Sequence, residues 1–557
     1  MYRFQRRGAA KEASMYLENY ITNFRTWKGD ESIFIEAPTG MGKTTFVLNQ
    51  LVEDAMNERR EVLFLSNRYL LKEQIKYSVA KRQGIPVEDA EWLEGVDEFE
   101  GITIISYQKI QMLMEMENAE KYLNGDRYKY TVFDEIHYIL EDSMFNPSIF
   151  YLLQFIQKTH SVKVFMSATL EETEGYLMNT EILGSVVPYS NIRLNEFVER
   201  ALLDGCLYRS IGYEKYIWKY TLPKQRRKLI VKYFTDFLQI VELINKSEEK
   251  WLIFVSNKAS VGSWKEAIRK SVDVIYADDK HEEIVDQIVK YERFEKQILI
   301  TTKLLDNGVN FKDGLLCNIV IDTISRVEFL QMLGRKRIQG DDLVKLYIPK
   351  KSRRYFTGYY NLSVLKSLDL VNAGKTSKEL MKECFADSTV YEIARRFYII
   401  RDGTLVLNPA GAYKLSLIAK FLCDMQEAMQ EDEWAFIKEQ LKWLDMQEDF
   451  SEENLLPDVR KEKVYAEVNE YLKRSAGVWM DKKRQNEFRQ ELGKLFCEAG
   501  LYEKRGNRAP GKQVIEKIIK TEFPRYDLEV KKASRKGEIS LWRVEVKKDV
   551  LDNQNTF

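Results

Sequence analysis

The sequence predicts two tandem α/β domains, each built on a parallel sheet, then a helical region and a small α+β domain. Short apolar runs alternate with longer helical stretches in two successive sets, which is the pattern of strands joined by crossover helices. An acidic stretch with apolar residues at helical spacing follows, and the C-terminal stretch is strongly basic. The divisions fall at residues 1–175, 176–355, 356–459 and 460–557.

The first set of strands is Ile33–Ile35, Val62–Leu65, Thr103–Ile105, Thr131–Phe133 and Val162–Met166, separated by helical stretches such as Thr44–Met56 and Tyr69–Val79. The second is Leu252–Val255, Val272–Tyr276, Ile298–Ile300, Asn318–Ile321 and Val344–Ile348. A chain of 557 residues exceeds the roughly 250–300 at which a single core stops growing, so more than one domain is required. No apolar run approaches the roughly 18 residues of a membrane span, so no membrane association is expected. The N-terminus, MYRFQRRGAAKEAS, is basic without the apolar core of a secretory signal, which points to a cytoplasmic protein. The five cysteines are scattered with no CxxC pair, which argues against a zinc or iron–sulfur site.

Directly behind the first strand stands Ala37-Pro38-Thr39-Gly40-Met41-Gly42-Lys43-Thr44. A strand, a glycine loop and a helix present backbone N–H groups to an anion without needing a matching number of cationic side chains. Thr39, Gly40, Gly42 and Thr45 are therefore expected to line a triphosphate. Lys43 would reach its β/γ oxygens and Thr44 would place a hydroxyl on Mg²⁺. The expected cofactors are ATP and Mg²⁺. A second triplet, Gly374-Lys375-Thr376, has no buried strand before it and is read as a loop and helix cap.

Ninety-one residues beyond Lys43, the strand Tyr130-Thr131-Val132-Phe133 ends in Asp134-Glu135-Ile136-His137. Phosphoryl transfer needs mainly positioning and charge compensation. One metal-holding carboxylate, Asp134, beside one water-polarising carboxylate, Glu135, is the minimal partner of a phosphate loop.

With these segments the chain resembles the superfamily 2 helicases, in their DEAH-like branch. The phosphate loop, the DEIH tetrad and Ser167-Ala168-Thr169 are similar to motifs I, II and III. Val62 to Arg68, with Leu71 and Gln74, resembles motif Ia, and Ile102 to Gln108 resembles the segment that meets a nucleic-acid backbone. Trp251 to Asn257 resembles motif IV, Ile298 to Phe311 motif V, and Gln331 to Arg337 motif VI. The resemblance covers residues 33 to 337 and implies two RecA-like domains with the nucleotide between them.

Several roles follow from that resemblance. Gln331, Arg335 and Arg337 would act across the cleft on the nucleotide, and Gly308 and Asn310 would line it from the second domain. His137, Ser167 and Thr169 would couple the ATP site to the second domain. Arg68, Ser106 and Thr301 would touch a nucleic-acid backbone. Two positions depart from the family pattern. Ile338 stands where the second motif VI arginine is usual, so either Arg337 substitutes from a shifted helix position or hydrolysis rests on Arg335 alone. Asn310 stands where motif V usually has aspartate. Arg335-Lys336-Arg337 also reads as a basic helix face.

Between the sheets, Tyr213 to Tyr220 alternates and is followed by the basic run Lys224 to Lys228. The acidic stretch from Asp424 to Asp458 places Trp434, Ile437, Leu441 and Leu444 at helical spacing, a packing face with acids outside. From Arg460 to Val550 there are 24 Lys/Arg against 15 Asp/Glu, a net of +9 in a chain that is neutral overall. Helical stretches Lys463–Lys473, Gln485–Cys497 and Lys512–Glu522 precede strands Tyr526–Lys531 and Glu538–Lys547, the order of a winged helix. Asp527, Glu545 and Lys547 have the residue types of a metal-dependent nuclease, but an edge strand of alternating charge explains them better.

The expectation is a nucleic-acid-dependent ATPase acting as a helicase or translocase, with DNA favoured over RNA. A protein partner would dock on the helical or C-terminal region. The alternative is a switch that clamps nucleic acid or a partner without unwinding.

Overall fold

The computed structural model describes residues 16–38, 40–66, 69–85, 93, 95–179, 185–188, 206–211, 216–222, 228–276, 284, 287–288, 291–302, 311–337, 343–502, 509–532 and 540–547. Two compact units emerge. One comprises residues 1–233 and 243–454, the other 234–242 and 455–557.

In the larger unit, the first sheet contains β1 (Ser32–Glu36), β2 (Glu61–Ser66), β3 (Glu98–Phe99), β4 (Ile102–Ser106), β5 (Tyr128–Asp134), β6 (Val162–Ser167), β7 (Ser185–Pro188), β8 (Cys206–Ile211) and β9 (Tyr216–Thr221). Their order is β3-β4-β2-β5-β6-β1-β9-β8-β7. From β4 to β9 the neighbours run parallel. Because side chains alternate along a strand, Ile33 and Ile35 enter one core and Phe34 the opposite one. Phe34, Phe165 and Phe133 stack across three adjacent strands, each ring 5.0 Å from the next. Such contacts add about 0.5–1.5 kcal/mol each beyond burial.

Residues 176–221 were expected with the second domain, yet β9 pairs with β1 and carries β8 and β7, so these strands extend the first sheet. Trp218 and Tyr220 of the alternating patch are buried in the same core as Ile33 and Ile35, which is why the strand belongs there. Residues 224–227 of the basic run lie outside the described residues.

The second sheet contains β10 (Leu229–Phe234), β11 (Lys250–Phe254), β12 (Val272–Ile275), β13 (Ile298–Thr301), β14 (Leu316–Ile321) and β15 (Val344–Pro349), in the order β10-β15-β14-β11-β13-β12. All five predicted strands are present, and β10 adds a sixth.

The helical region holds helices Arg353–Tyr359, Leu365–Asn372, Ser377–Ala386, Ser388–Phe397, Pro409–Glu431 and Ala435–Trp443, interrupted by the hairpin β16 (Tyr398–Arg401) and β17 (Thr404–Leu407). Trp434, Ile437 and Leu441 are buried as a packing face, with Leu444 half-buried. Thr376 makes a capping box with Glu379, so the Gly-Lys-Thr triplet is a loop and helix cap as its sequence suggests.

The smaller unit has its own core. Helices Val459–Ser475, Lys482–Glu498 and Lys512–Glu522 pack on an antiparallel hairpin, β18 (Tyr526–Lys532) and β19 (Ser540–Val546). A bridge from Met480 to Trp542 adds a short third edge. Asp527 and Glu545 are register partners on this hairpin. No helix among the described residues is long and apolar enough to cross a membrane.

Candidate nucleotide site

The strand order brings three sequence-distant segments to one edge. Strand β6 lies between β5 and β1, with Asp134 opposite Met166 and Ser167 opposite Glu36. The carboxyl ends of these strands therefore line up, where parallel sheets bind ligands. Ala37 N–H donates to Ser167 O (3.0 Å), and Ile136 N–H to Met166 O (3.0 Å), which fixes both loops to β6.

After β1 the chain turns through Gly40 (φ +91°) and Gly42 (φ +79°), the latter the N-cap of the helix opened by Lys43. A side chain is strained in that left-handed region, so glycine suits both positions. Lys43 is buried; its Nζ donates to Ala37 O (3.2 Å) and lies 3.3 Å from Glu135 Oε1. Thr44 is half-buried and Thr45 exposed on the same helix start.

Asp134 ends β5 and is buried, with Oδ1 lacking a hydrogen-bond partner. Burial, with the charge of Glu135 beside it, pushes its carboxyl above the usual range. A buried carboxylate oxygen left unsatisfied is what a hard divalent cation takes up, so Asp134 with the hydroxyl of Thr44 fits Mg²⁺. Glu135 follows in the left-handed region (φ +50°), a turn that costs about 1–2 kcal/mol for a non-glycine residue. Burial works against its charge, yet Lys43, then His137 and Arg335, hold the Glu135 carboxyl below the usual range. The two neighbouring acids thus divide: Glu135 stays ionised, and Asp134 holds its charge at a cost.

From the second lobe, helix Arg326–Arg335 reaches into this edge. Gln331 Nε2 and His137 Nε2 are hydrogen-bonded at 2.5 Å, and Nδ1 of the same ring is hydrogen-bonded to Ser167 Oγ (2.9 Å). The hydroxyl of Ser167 also accepts Thr169 N–H (3.0 Å). Arg335, one turn beyond Gln331, is buried, donates through Nε to Gln331 O (3.2 Å), and draws down the pKa of both Asp134 and Glu135.

The basic run is not one helix face, and Arg337 does not act from a shifted helix position. The helix stops at Arg335, and Lys336 is extended (ψ 112°). Phe311 N–H donates to Arg335 O (2.8 Å) and Arg337 N–H to Phe311 O (2.9 Å), drawing the chain out into a parallel bridge. Lys336 turns inward to Asp313 O (2.8 Å). The guanidinium of Arg337 instead reaches the phosphate loop, where a Cβ built on Gly40 would stand 3.0 Å from its Nη1.

Other expectations fare differently. Thr39, Arg68, Gly308 and Asn310 lie outside the described residues. Ser106 is the N-cap of helix Tyr107–Glu115 and accepts Lys109 N–H (3.2 Å). Thr301, expected at a nucleic-acid backbone, is fully buried and donates to Thr302 O (3.0 Å), so in this arrangement its hydroxyl is turned inward. Sequence reasoning also missed a cationic cluster. Lys72 (3.1 Å), Lys76 (3.4 Å) and Lys109 all converge on Asp97, three ammonium groups on one carboxylate. The i,i+4 spacing of Lys72 and Lys76 was legible; the fold of the irregular stretch carrying Asp97 was not.

Residues 6–172 match the family model described as "Type III restriction enzyme, res subunit", so the first lobe is similar to a domain of that kind. Among curated proteins none matches the chain. Solved structures similar to it include S. cerevisiae Dbp5 bound to RNA and ADP BeF3, at 15% identity and TM-score 0.37, covering 58% of this chain and 80% of that one. Another is the Mycobacterium smegmatis helicase Lhr bound to ssDNA and AMP-PNP, at 14% identity and TM-score 0.38, covering 59% of this chain; the match spans 45% of Lhr.

Proposed function

We propose that this chain is a nucleic-acid-stimulated ATPase of the helicase or translocase kind, turning over ATP between its two parallel-sheet lobes. One observation carries the reading: from the second lobe Arg335 acts on Asp134 and Glu135 of the first, and Arg337 reaches its Gly40. Groups on both sides of a cleft act together only when it is closed, and that requirement turns hydrolysis into motion.

In this reading the loop N–H groups and Lys43 hold the phosphates. Thr44 and Asp134 hold Mg²⁺, which neutralises charge on the phosphates when bound. Glu135, kept ionised by Lys43, orients the attacking water and accepts its proton. Arg335 and Arg337 offset the charge that develops on the transferring phosphoryl group. His137 passes the state of this site to Gln331 and, through Ser167, to the loop of Thr169.

The polymer would lie across the carboxyl ends of the strands, near Ser106 and Lys109, the most exposed of the lysines around Asp97. The smaller unit adds a second contact. Its order of helix, short edge, two helices and hairpin is that of a winged helix, and its net positive charge suits phosphates. DNA remains the favoured polymer in this proposal.

The altered motif VI, with Ile338 where a second arginine is usual, is the best support for the clamp or switch reading; the reach of Arg337 to Gly40 supports the motor instead. Steady-state ATPase assays with single-stranded DNA, duplex DNA and RNA, alongside Lys43→Ala and Glu135→Gln, test the motor. Stimulation by one polymer that both substitutions abolish is the expected result. No turnover with any of the three, together with retained ATP-dependent binding of a partner, would replace the motor by the switch.

A further inference from the structure

The helical region touches both lobes of the larger unit. Its helix Pro409–Glu431 begins at Asn408, whose Nδ2 donates to Ser143 O of the first lobe (3.1 Å). Gly411 lets the helix lie against the same carbonyl, since a Cβ there would stand 2.9 Å from Ser143 O. The rings of Tyr413 and Tyr176 then meet at 5.1 Å. On the other side, Trp443 of helix Ala435–Trp443 packs against Phe329 of the helix carrying Gln331 and Arg335, with ring centroids 5.4 Å apart.

Between these anchors sits a charge cluster built on the buried Lys414, its carboxylates partly buried. Lys414 Nζ donates to Glu141 Oε1 (2.6 Å) and Glu172 Oε2 (2.8 Å). Glu141 closes the short helix that begins one residue after His137, and Glu172 lies in the first turn of the helix after Thr169. The second lobe meets the same cluster: Ser325 Oγ lies 3.5 Å from Glu141 Oε2, and Glu328, three residues further on, is close enough for its charge to raise the Glu141 carboxyl further after burial has done so. Two carboxylates of the first lobe, Glu141 and Glu172, therefore hold the ammonium, and Glu328 of the second lobe faces Glu141. Removing one partner of a buried charge cluster leaves the rest uncompensated, which is far more costly than replacing the cluster with neutral groups.

We propose that Lys414 is a positioning residue for the nucleotide site, the counter-charge that lets the seam between the lobes close, with the helical region as a strap across it. This rests on the ATPase reading above. Without the ammonium, Glu141 and Glu328 repel across the seam, and the lobe carrying Gln331, Arg335 and Arg337 draws back from Lys43 and Glu135.

The test compares the full chain with Lys414→Met, Lys414→Arg and the double variant Lys414→Met/Glu141→Gln. Two quantities are read: polymer-stimulated kcat with KM for ATP, and amide hydrogen exchange of residues 326–337 without nucleotide. Lys414→Met is expected to lower kcat about tenfold and to speed exchange of 326–337 by a similar factor, as expected when a buried charge is left unpaired. Lys414→Arg keeps both near wild type, and the double variant recovers both to within about threefold because the repulsion is gone. A double variant as slow as Lys414→Met, or one that fails to fold, overturns the proposal, since lost packing would then be the cause. Unchanged exchange in a slowed Lys414→Met overturns it too. Should Lys414→Met itself fail to fold, recovery in the double variant still supports the charge account. A wild-type chain that hydrolyses no ATP sinks the motor reading instead, and the exchange comparison still reports on the strap.

Discussion

Gln331 of the second lobe hydrogen-bonds His137 of the first at 2.5 Å, and the other nitrogen of that ring bonds Ser167. Residues almost two hundred positions apart thus share one imidazole, and its neighbour in sequence but one, Glu135, pairs with Lys43 of the phosphate loop. Lobe contact and the acid beside Lys43 are joined by two backbone steps.

Gln331→Ala should therefore impair coupling more than binding. The affinity for ADP is expected to stay within about twofold while polymer-stimulated kcat falls roughly tenfold, the loss of one hydrogen bond made across the closed cleft. Fluorescent-nucleotide titration against steady-state kinetics separates the two. Equal weakening of both would place Gln331 in simple nucleotide binding.

Arg335 and Arg337 are both expected to matter, against the possibility that hydrolysis rests on Arg335 alone. Substituting either by alanine should lower kcat by about 10²-fold or more with a smaller change in KM, the signature of charge stabilisation in the transition state. A full-rate Arg337→Ala would leave Arg335 as the sole trans-acting cation. Gly40→Ala should weaken ATP binding, because the added methyl meets both the φ of +91° and the Arg337 guanidinium.

The paired acids predict opposite pH dependences of stability. The folded carboxyl of Asp134 is raised by burial and Glu135, so its cost is absent below the ordinary carboxylate range near about 4 and grows as pH rises through the raised value. Asp134→Asn should stabilise the nucleotide-free protein by about 1–3 kcal/mol at pH 8, and by much less at pH 4.5, while abolishing turnover. The Glu135 carboxyl is lowered by Lys43 against the effect of burial, so its contribution is present above the ordinary range and lost as pH falls through the lowered value. Glu135→Gln should therefore destabilise at pH 8. Thermal melts of both variants at the two pH values check this; parallel behaviour would contradict the split.

Lys517 and Lys520 are exposed on helix Lys512–Glu522. Changing both to glutamine should weaken nucleic-acid binding similarly across sequences and reduce the salt slope by about 2, with unstimulated ATPase unaltered. An unchanged slope would assign this unit to protein contacts. Residues 533–539 of the intervening basic turn lie outside the described residues and carry no part of this prediction.

How much of this was readable in advance follows from the range of each interaction. The strands of both sheets, the two glycines of the phosphate loop, the acid pair behind β5 and the cap at Thr376 rest on neighbours within a few residues, and local spacing declares them. That β7 to β9 would extend the first sheet depended on Trp218 and Tyr220 finding the core around Ile33, a choice among apolar surfaces that no spacing encodes.

The sequence by itself determined which residues could carry phosphate chemistry and in what order they come along the chain. The tertiary structure alone decided how Arg337 reaches Gly40, why Thr301 is turned inward, and that Lys414 of the helical region holds Glu141 and Glu172 of the first lobe. The physical reason is that covalent geometry specifies periodicity and turns over short distances, whereas a guanidinium is aimed by distant pairings such as Phe311 with Lys336, which bury main-chain groups only once both segments have folded.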